Sequence, residues 1–317
     1  MTSEGEAEAG ADVASGGAAG LGIPPILESD EPARRTSGGK HSFAPTALLL
    51  LVVAGAWILS VVASVAALAA WMASSGTRPT DTRTWIADHS GSMAGVLVLV
   101  LPGQATFFAA AWLAARRAGE GAAARLGLLG GRATSAAAVV LALAGTVGVQ
   151  WIASVAVDLA FGEPSEQMRA MWKMLSTSTG FPALAIGLVI SVVPGVCEEL
   201  VFRGLLLRGL LEHRSALVSI AIAGAGFALA HGEVQYALAV LPLGLWLGFV
   251  AWRTGSIRLA IACHASNNLS AFVFGRMLGD PESGDLPSTP WMIAVGIALC
   301  TCAVAAAFAL PRSPRAA

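Results

Sequence analysis

Apolar residues run along this chain in long unbroken blocks, separated by short polar connections. A helix rises about 1.5 Å per residue, so crossing a hydrocarbon core of about 30 Å takes roughly 20 apolar residues. Blocks of that kind lie at about 46–72, 93–115, 134–160, 182–202, 216–231, 236–252, 257–275 and 290–310, the fifth and sixth being short. They are rich in Ala and Leu and lack the two-residue alternation of a membrane barrel strand, which predicts helices. The expected fold is all-α, a polytopic transmembrane helix bundle of about eight spans. The first block has no small-residue cleavage site behind a short core, so it reads as a retained span and not as a signal peptide.

Composition agrees with that pattern. The chain is 56% hydrophobic and 12% charged, against about 25% charged in an average soluble domain. Its formal net charge of -1 offers nothing to nucleic acid and leaves membrane lipid as the surrounding partner. The placement of the few charges is more informative, because cytoplasmic loops carry the Lys and Arg excess. With a cytoplasmic N-terminus, Arg34, Arg35, Lys40, Arg116, Arg117, Arg125, Arg132, Arg208, Arg214, Arg253, Arg258, Arg312 and Arg315 share one side. Arg78, Arg83, Arg169, Lys173 and Arg276 take the other, with Arg203 set aside as part of a motif. Both termini are therefore expected in the cytoplasm. Heavy Ala, Gly and Arg usage points to a GC-rich, bacterial genome, and so to the bacterial plasma membrane.

Residues 1–44 are rich in Gly, Ala, Ser and acidic side chains and predict a disordered cytoplasmic tail. Residues 45–312 form the transmembrane helical domain. The loop Arg116 to Arg132 reads either as a short amphipathic interfacial helix or as a solvated basic loop. Trp85 to Ser92 and Asp280 to Asp285 read as polar connections. Cys197, Cys263, Cys300 and Cys302 fall in spans without a CxxC pair, which predicts buried, inert thiols. Gly244 and Gly248 predict close helix packing within one chain.

A charged side chain at the bilayer centre costs about 2.5–3.5 kcal/mol on insertion scales and usually faces a protein interior or a wet cavity. Glu198, Glu199 and Arg203 stand in the cytoplasmic half of the fourth span, Arg203 directly after the limit at 202. Glu199 and Arg203 are four apart and share a helix face, where they can pair. Glu198 is turned from its neighbour by about 100°. Such a cluster could simply lock helices together, but the doubled Glu leaves one acid without a cation, suited to general-base work. His231 ends Phe227-Ala228-Leu229-Ala230-His231, and His264 with Asn268 puts an imidazole and a carboxamide on one helical face. Each histidine alone reads as a satisfied core residue, whereas the three elements together read as a site. Straight spans ending near 202 would leave Glu198 toward the cytoplasmic face and His231 toward the outer one. Sharing chemistry then requires the fifth helix to start deep, a displaced boundary between 203 and 216, or a bend at Pro194-Gly195.

Glu-Glu-x-x-x-Arg at 198–203, Phe-x-x-x-His at 227–231 and His-x-x-x-Asn at 264–268, in that order, resemble the CPBP (CaaX protease and bacteriocin-processing, Abi) intramembrane protease family. That family includes the eukaryotic type II CaaX prenyl endopeptidases, and the matching core covers about 180–275. The resemblance implies an intramembrane endopeptidase acting on a membrane-associated protein or peptide. Glu198 with His231 would activate water, and His264 with Asn268 would position it or stabilise the oxyanion. Glu199 and Arg203 would support the helix and tune its charge. Family members have been described as metalloproteases and as metal-free glutamate-dependent enzymes. Glu198, His231 and His264 could supply three zinc ligands, yet the HExxH spacing is absent, which favours the metal-free scheme. The alternatives are a non-catalytic scaffold or bacteriocin-immunity-type protein of the same fold, and a proton-coupled transporter, for which no inverted repeat is visible. Neither the substrate, nor its prenylation, nor the oligomeric state is written in the sequence.

Overall fold

A computed structural model describes residues 45–76, 82–89, 92–116, 121–162, 169, 180–278 and 289–311. The expected tail at 1–44 and the acidic stretch Asp280 to Asp285 lie outside the described residues. The eight apolar blocks are helices: α1 (Thr46–Ser74), α3 (Met93–Arg116), α5 (Ala136–Phe161), α6, α7 (Ala216–Leu229), α8 (Val234–Thr254), α9 (Arg258–Leu278) and α10 (Thr289–Ala309). Helix α6 runs from Gly180–Glu199 through a π-helical segment, Leu200–Leu207, into a last turn, Arg208–Leu210. Two short helices, α2 (Thr82–His89) and α4 (Ala122–Arg125), lie between the blocks. No strand is found among the described residues.

Six of these stretches are long and apolar enough to cross a membrane: Thr46–Ser74, Met93–Arg116, Ala136–Phe161, Ala183–Leu210, Val234–Thr254 and Pro290–Ala309. The two others fall short for different reasons. Helix α7 has only 14 residues, and α9 carries His264, Ser266, Asn267, Asn268 and Ser270 along its length. Leu51, Leu59, Leu188, Leu229 and Val304 are exposed on the outside of the bundle, a surface that lipid and not water can cover. The chain is an integral membrane protein.

Side-chain caps fix several helix starts. Ser135 accepts from Ala138 N at 3.2 Å, and Glu233 accepts from Gln235 N at 2.9 Å and Tyr236 N at 3.2 Å. Each satisfies a donor that the first turn leaves unpaired. Small residues then set the closest packing. A Cβ added at Gly244 would stand 2.8 Å from the carbonyl oxygen of Gly224, so the glycine pair of α8 serves contact with α7 inside one chain, as its spacing predicts.

Two connections differ from expectation. The basic stretch after α3 is neither a free interfacial helix nor a solvated loop, because Arg125 and Leu126 are buried. Arg208 Nε donates to Arg125 O at 2.9 Å, Ser256 Oγ to Gly127 O at 2.8 Å and Arg258 Nη2 to Gly130 O at 2.6 Å. The guanidiniums are spent on backbone carbonyls, which docks the loop onto the end of α6 and the α8–α9 turn. The segment near Trp85 is helical and not a plain polar link. Trp85 is buried, stacks on His89 at 4.3 Å and meets Trp71 edge-on at 4.8 Å.

The boundary that matters most to the site is the end of α6. It lies at Leu210, eight residues beyond the end expected at 202. Arg208 Nη1 donates to Gly255 O at 3.4 Å, which puts the last turn of α6 level with the start of α9. Glu199 lies nine residues before Arg208 and His264 nine after Gly255, so the two antiparallel helices bring them abreast. Helix α7 climbs about 21 Å at the helical rise, short of a hydrocarbon core of about 30 Å. His231, just past its end, is therefore held within the bundle's depth.

Candidate active site

Helix α6 packs closely on α9 one turn before the acidic pair. Pro194 has no N–H, so the carbonyl of Ile190 lacks its helical donor. Asn268 Nδ2 supplies one from α9, at 3.5 Å. A Cβ at Gly195 would stand 3.1 Å from Ala265 N, so the missing side chain lets α9 close in. A π segment follows at once; such segments recur at functional sites because they redirect side chains relative to the regular helix.

Glu199 and Arg203 are both fully buried. Glu199 Oε1 accepts from Arg203 Nη1 at 2.7 Å and from His264 Nδ1 at 3.0 Å. Arg203 Nη2 donates to Gly244 O at 2.7 Å, and the guanidinium carbon lies 4.6 Å from the centre of the Phe227 ring. One ion pair therefore joins α6, α7, α8 and α9. Among the described residues, Glu199 Oε2 and Arg203 Nε are buried without a hydrogen-bond partner.

Glu198 is different. Its side chain retains 13% exposure, and its Oε1 accepts from Gln104 Nε2 of α3 at 2.9 Å. Its other oxygen lies 3.9 Å from His264 Nε2. A carboxylate only accepts, so the contact with Glu199 assigns the proton to His264 Nδ1 and turns Nε2 toward Glu198. A separation of 3.9 Å is too long for a direct hydrogen bond.

His231 stands on the other side of Phe227. Its Nδ1 is 2.9 Å from Phe227 O, and its ring lies 5.0 Å from the phenyl and 5.0 Å from Tyr236, edge-on to each. The same phenyl lies 5.5 Å from the ring of His264, so the two imidazoles flank one aromatic ring. Trp57 Nε1 of α1 donates to Ala230 O at 2.6 Å, which anchors the end of α7 beside His231. Asn268 sits one turn beyond His264, half-buried, its Oδ1 accepting from Asn267 Nδ2 at 3.4 Å.

Of the six residues singled out from sequence, Glu198, Glu199, Arg203 and His264 form one contact network, His231 joins it through Phe227, and Asn268 borders it at Ile190. The Nε2 of His264 is 3.9 Å from Glu198. Sequence reasoning missed Gln104, Trp57 and the carbonyl of Gly244. A lone amide in an apolar helix was the available signal for Gln104, since polar side chains at membrane depth face a partner. Cys197 and Cys263 are buried as expected, while Cys300 and Cys302 are half-buried.

Zinc ligation would require Glu198, His231 and His264 to converge. Both Nδ1 atoms are anchored, as in histidines oriented for a metal, yet among the described residues no three His, Cys, Asp or Glu side chains gather at ligand spacing. The reaction steps below therefore use only the protein's own groups.

Residues 180–270 match the family model described as Rce1-like, Type II CAAX prenyl endopeptidase Rce1-like. The match spans α6 to α9 and contains all three motifs, which bears out the resemblance read from them. It supports a CAAX-type intramembrane endopeptidase in general terms. No curated protein and no solved structure matches the chain.

Proposed function

We propose that this chain, Rce1-like across the helices that build the site, hydrolyses a peptide bond of a membrane-associated protein or peptide. The observation carrying this reading is the unequal environment of two adjacent carboxylates. Glu199 is fully buried against Arg203 and His264, whereas Glu198 has one oxygen held by Gln104 and the other open toward His264 Nε2. A structural cluster needs only the first carboxylate.

In this scheme a water sits between Glu198 Oε2 and His264 Nε2. Glu198 takes a proton from it as its oxygen attacks the scissile carbonyl carbon. The carbonyl oxygen becomes an oxyanion, for which Asn268 supplies the second hydrogen of Nδ2 as a donor and His231 supplies Nε2–H when its imidazole carries both protons, its Nδ1–H being held by Phe227 O. The proton held on Glu198 then passes to the amide nitrogen as the C–N bond breaks. Positioned proton transfer of this kind contributes about 10²–10⁴-fold to a rate. Both termini in the cytoplasm and a bacterial plasma membrane complete the reading.

Purified protein in detergent is expected to cleave a membrane-anchored peptide, and Glu198→Ala to abolish cleavage with expression unchanged. Equal cleavage by the variant would remove Glu198 from its role. Adding zinc to chelator-treated protein should leave the rate unchanged; a rate restored by zinc would move the chemistry to a bound ion.

A further inference from the structure

Gln104 is the point where a helix outside the family match reaches the reacting carboxylate. It sits mid-way along α3, among Leu, Val, Ala and Phe. Gly103 beside it packs closely on α1, where an added Cβ would stand 3.0 Å from Ser64 Oγ. Because a carboxylate accepts and never donates, the amide must turn its NH2 group to Glu198. Its carbonyl oxygen then faces elsewhere, buried and without a partner among the described residues.

Packing alone does not account for this side chain. A methionine would fill the same length without burying an unpaired acceptor. What the amide adds is a fixed hydrogen bond to one oxygen of Glu198. The last torsion of a glutamate is broad and soft, so an unclamped Glu198 would swing its two oxygens through the pocket.

We propose that Gln104 is a positioning residue for the hydrolysis, holding Oε1 of Glu198 so that Oε2 is the oxygen presented to water and His264. The inference rests on the protease reading above. It makes α3 a working wall of the site, with Gln104 acting through Glu198 and not on the substrate.

The test compares wild type with Gln104→Met, and with Gln150→Met as a control, because Gln150 bonds Ser154 and Ala239 instead of the site. Gln104→Met should lower kcat by about tenfold to a hundredfold with KM within about twofold, since only the presentation of the base changes. Gln150→Met should leave kcat unchanged. A second readout needs no substrate: the infrared carboxylate stretch assigned to Glu198 by its loss in Glu198→Gln should shift in Gln104→Met. Gln104→Ala, which removes the amide without filling its space, serves if the methionine variant does not fold and should show the same shift. An unmoved band, or a Gln104→Met kcat equal to wild type while Glu198→Ala is dead, overturns the positioning role alone. Should wild type and Glu198→Ala behave alike toward substrate, the protease reading falls, and the band still decides whether Gln104 holds Glu198.

Discussion

At the scale of single residues, the site rests on a charge pair that is valuable mainly for what its loss would expose. Glu199 and Arg203 are both at 0% exposure. Replacing a buried ion pair by apolar groups is often neutral, whereas removing one partner costs roughly 3–5 kcal/mol. Arg203→Met should therefore lower the melting temperature in detergent sharply, and Glu199→Gln/Arg203→Met should recover part of the loss. Arg203→Lys should not rescue it, because one ammonium cannot reproduce the fork that reaches both Glu199 Oε1 and Gly244 O. A double variant as unstable as the single one would contradict this account of the pair. The motif residues were legible in the sequence because ionisable groups stand out in apolar blocks. Their pairing was less so: spacing along one helix gives Glu199 with Arg203, but nothing in it says that His264 reaches both carboxylates. Gln104 escaped notice for a related reason, since an uncharged amide stands out less and its partner lies 94 residues away.

At the scale of elements, Pro194 and the π segment shape α6 around the site. The apolar pattern set the end of the fourth helix at 202, next to Arg203. In the fold the guanidinium is satisfied inside the protein, so the helix continues to Leu210. That later end, together with the shortness of α7, removes the apparent gap between Glu198 and His231. Pro194→Ala tests the local design. It returns a helical N–H to Ile190 O, which then competes with Asn268 for that oxygen. The expected result is a melting temperature equal to or above wild type with a lower cleavage rate; unchanged cleavage would detach Asn268's anchoring from function. The docked loop after α3 and the aromatic packing of α2 were hidden from the sequence because both depend on contacts between distant segments.

At the scale of the whole molecule, all eight apolar blocks are helices, seven of them within a few residues of their expected limits and the fourth running eight residues further. The hydrocarbon length requirement is a strong filter, and Ala- and Leu-rich runs leave little else for the chain to do. The arrangement of the bundle was not legible, since glycine contacts such as Gly224 with Gly244 become visible only once the helices are placed. Orientation is open to direct test in a background without native cysteines. With both termini in the cytoplasm, a cysteine at Arg214, exposed in the α6–α7 turn, should react with an impermeant thiol reagent from the cytoplasmic side. One at Val234, 72% exposed at the start of α8, should not. The reverse labelling would invert the assignment.

The claim on which the account turns is that Glu198 is the base for hydrolysis inside the bundle. Its most direct measurement is the single-turnover cleavage rate of a membrane-anchored peptide by reconstituted protein, wild type against Glu198→Gln. The account predicts cleavage by wild type and a loss of about 10²–10⁴-fold in the variant, with its melting temperature retained. A variant that folds normally and cleaves at the wild-type rate would contradict it.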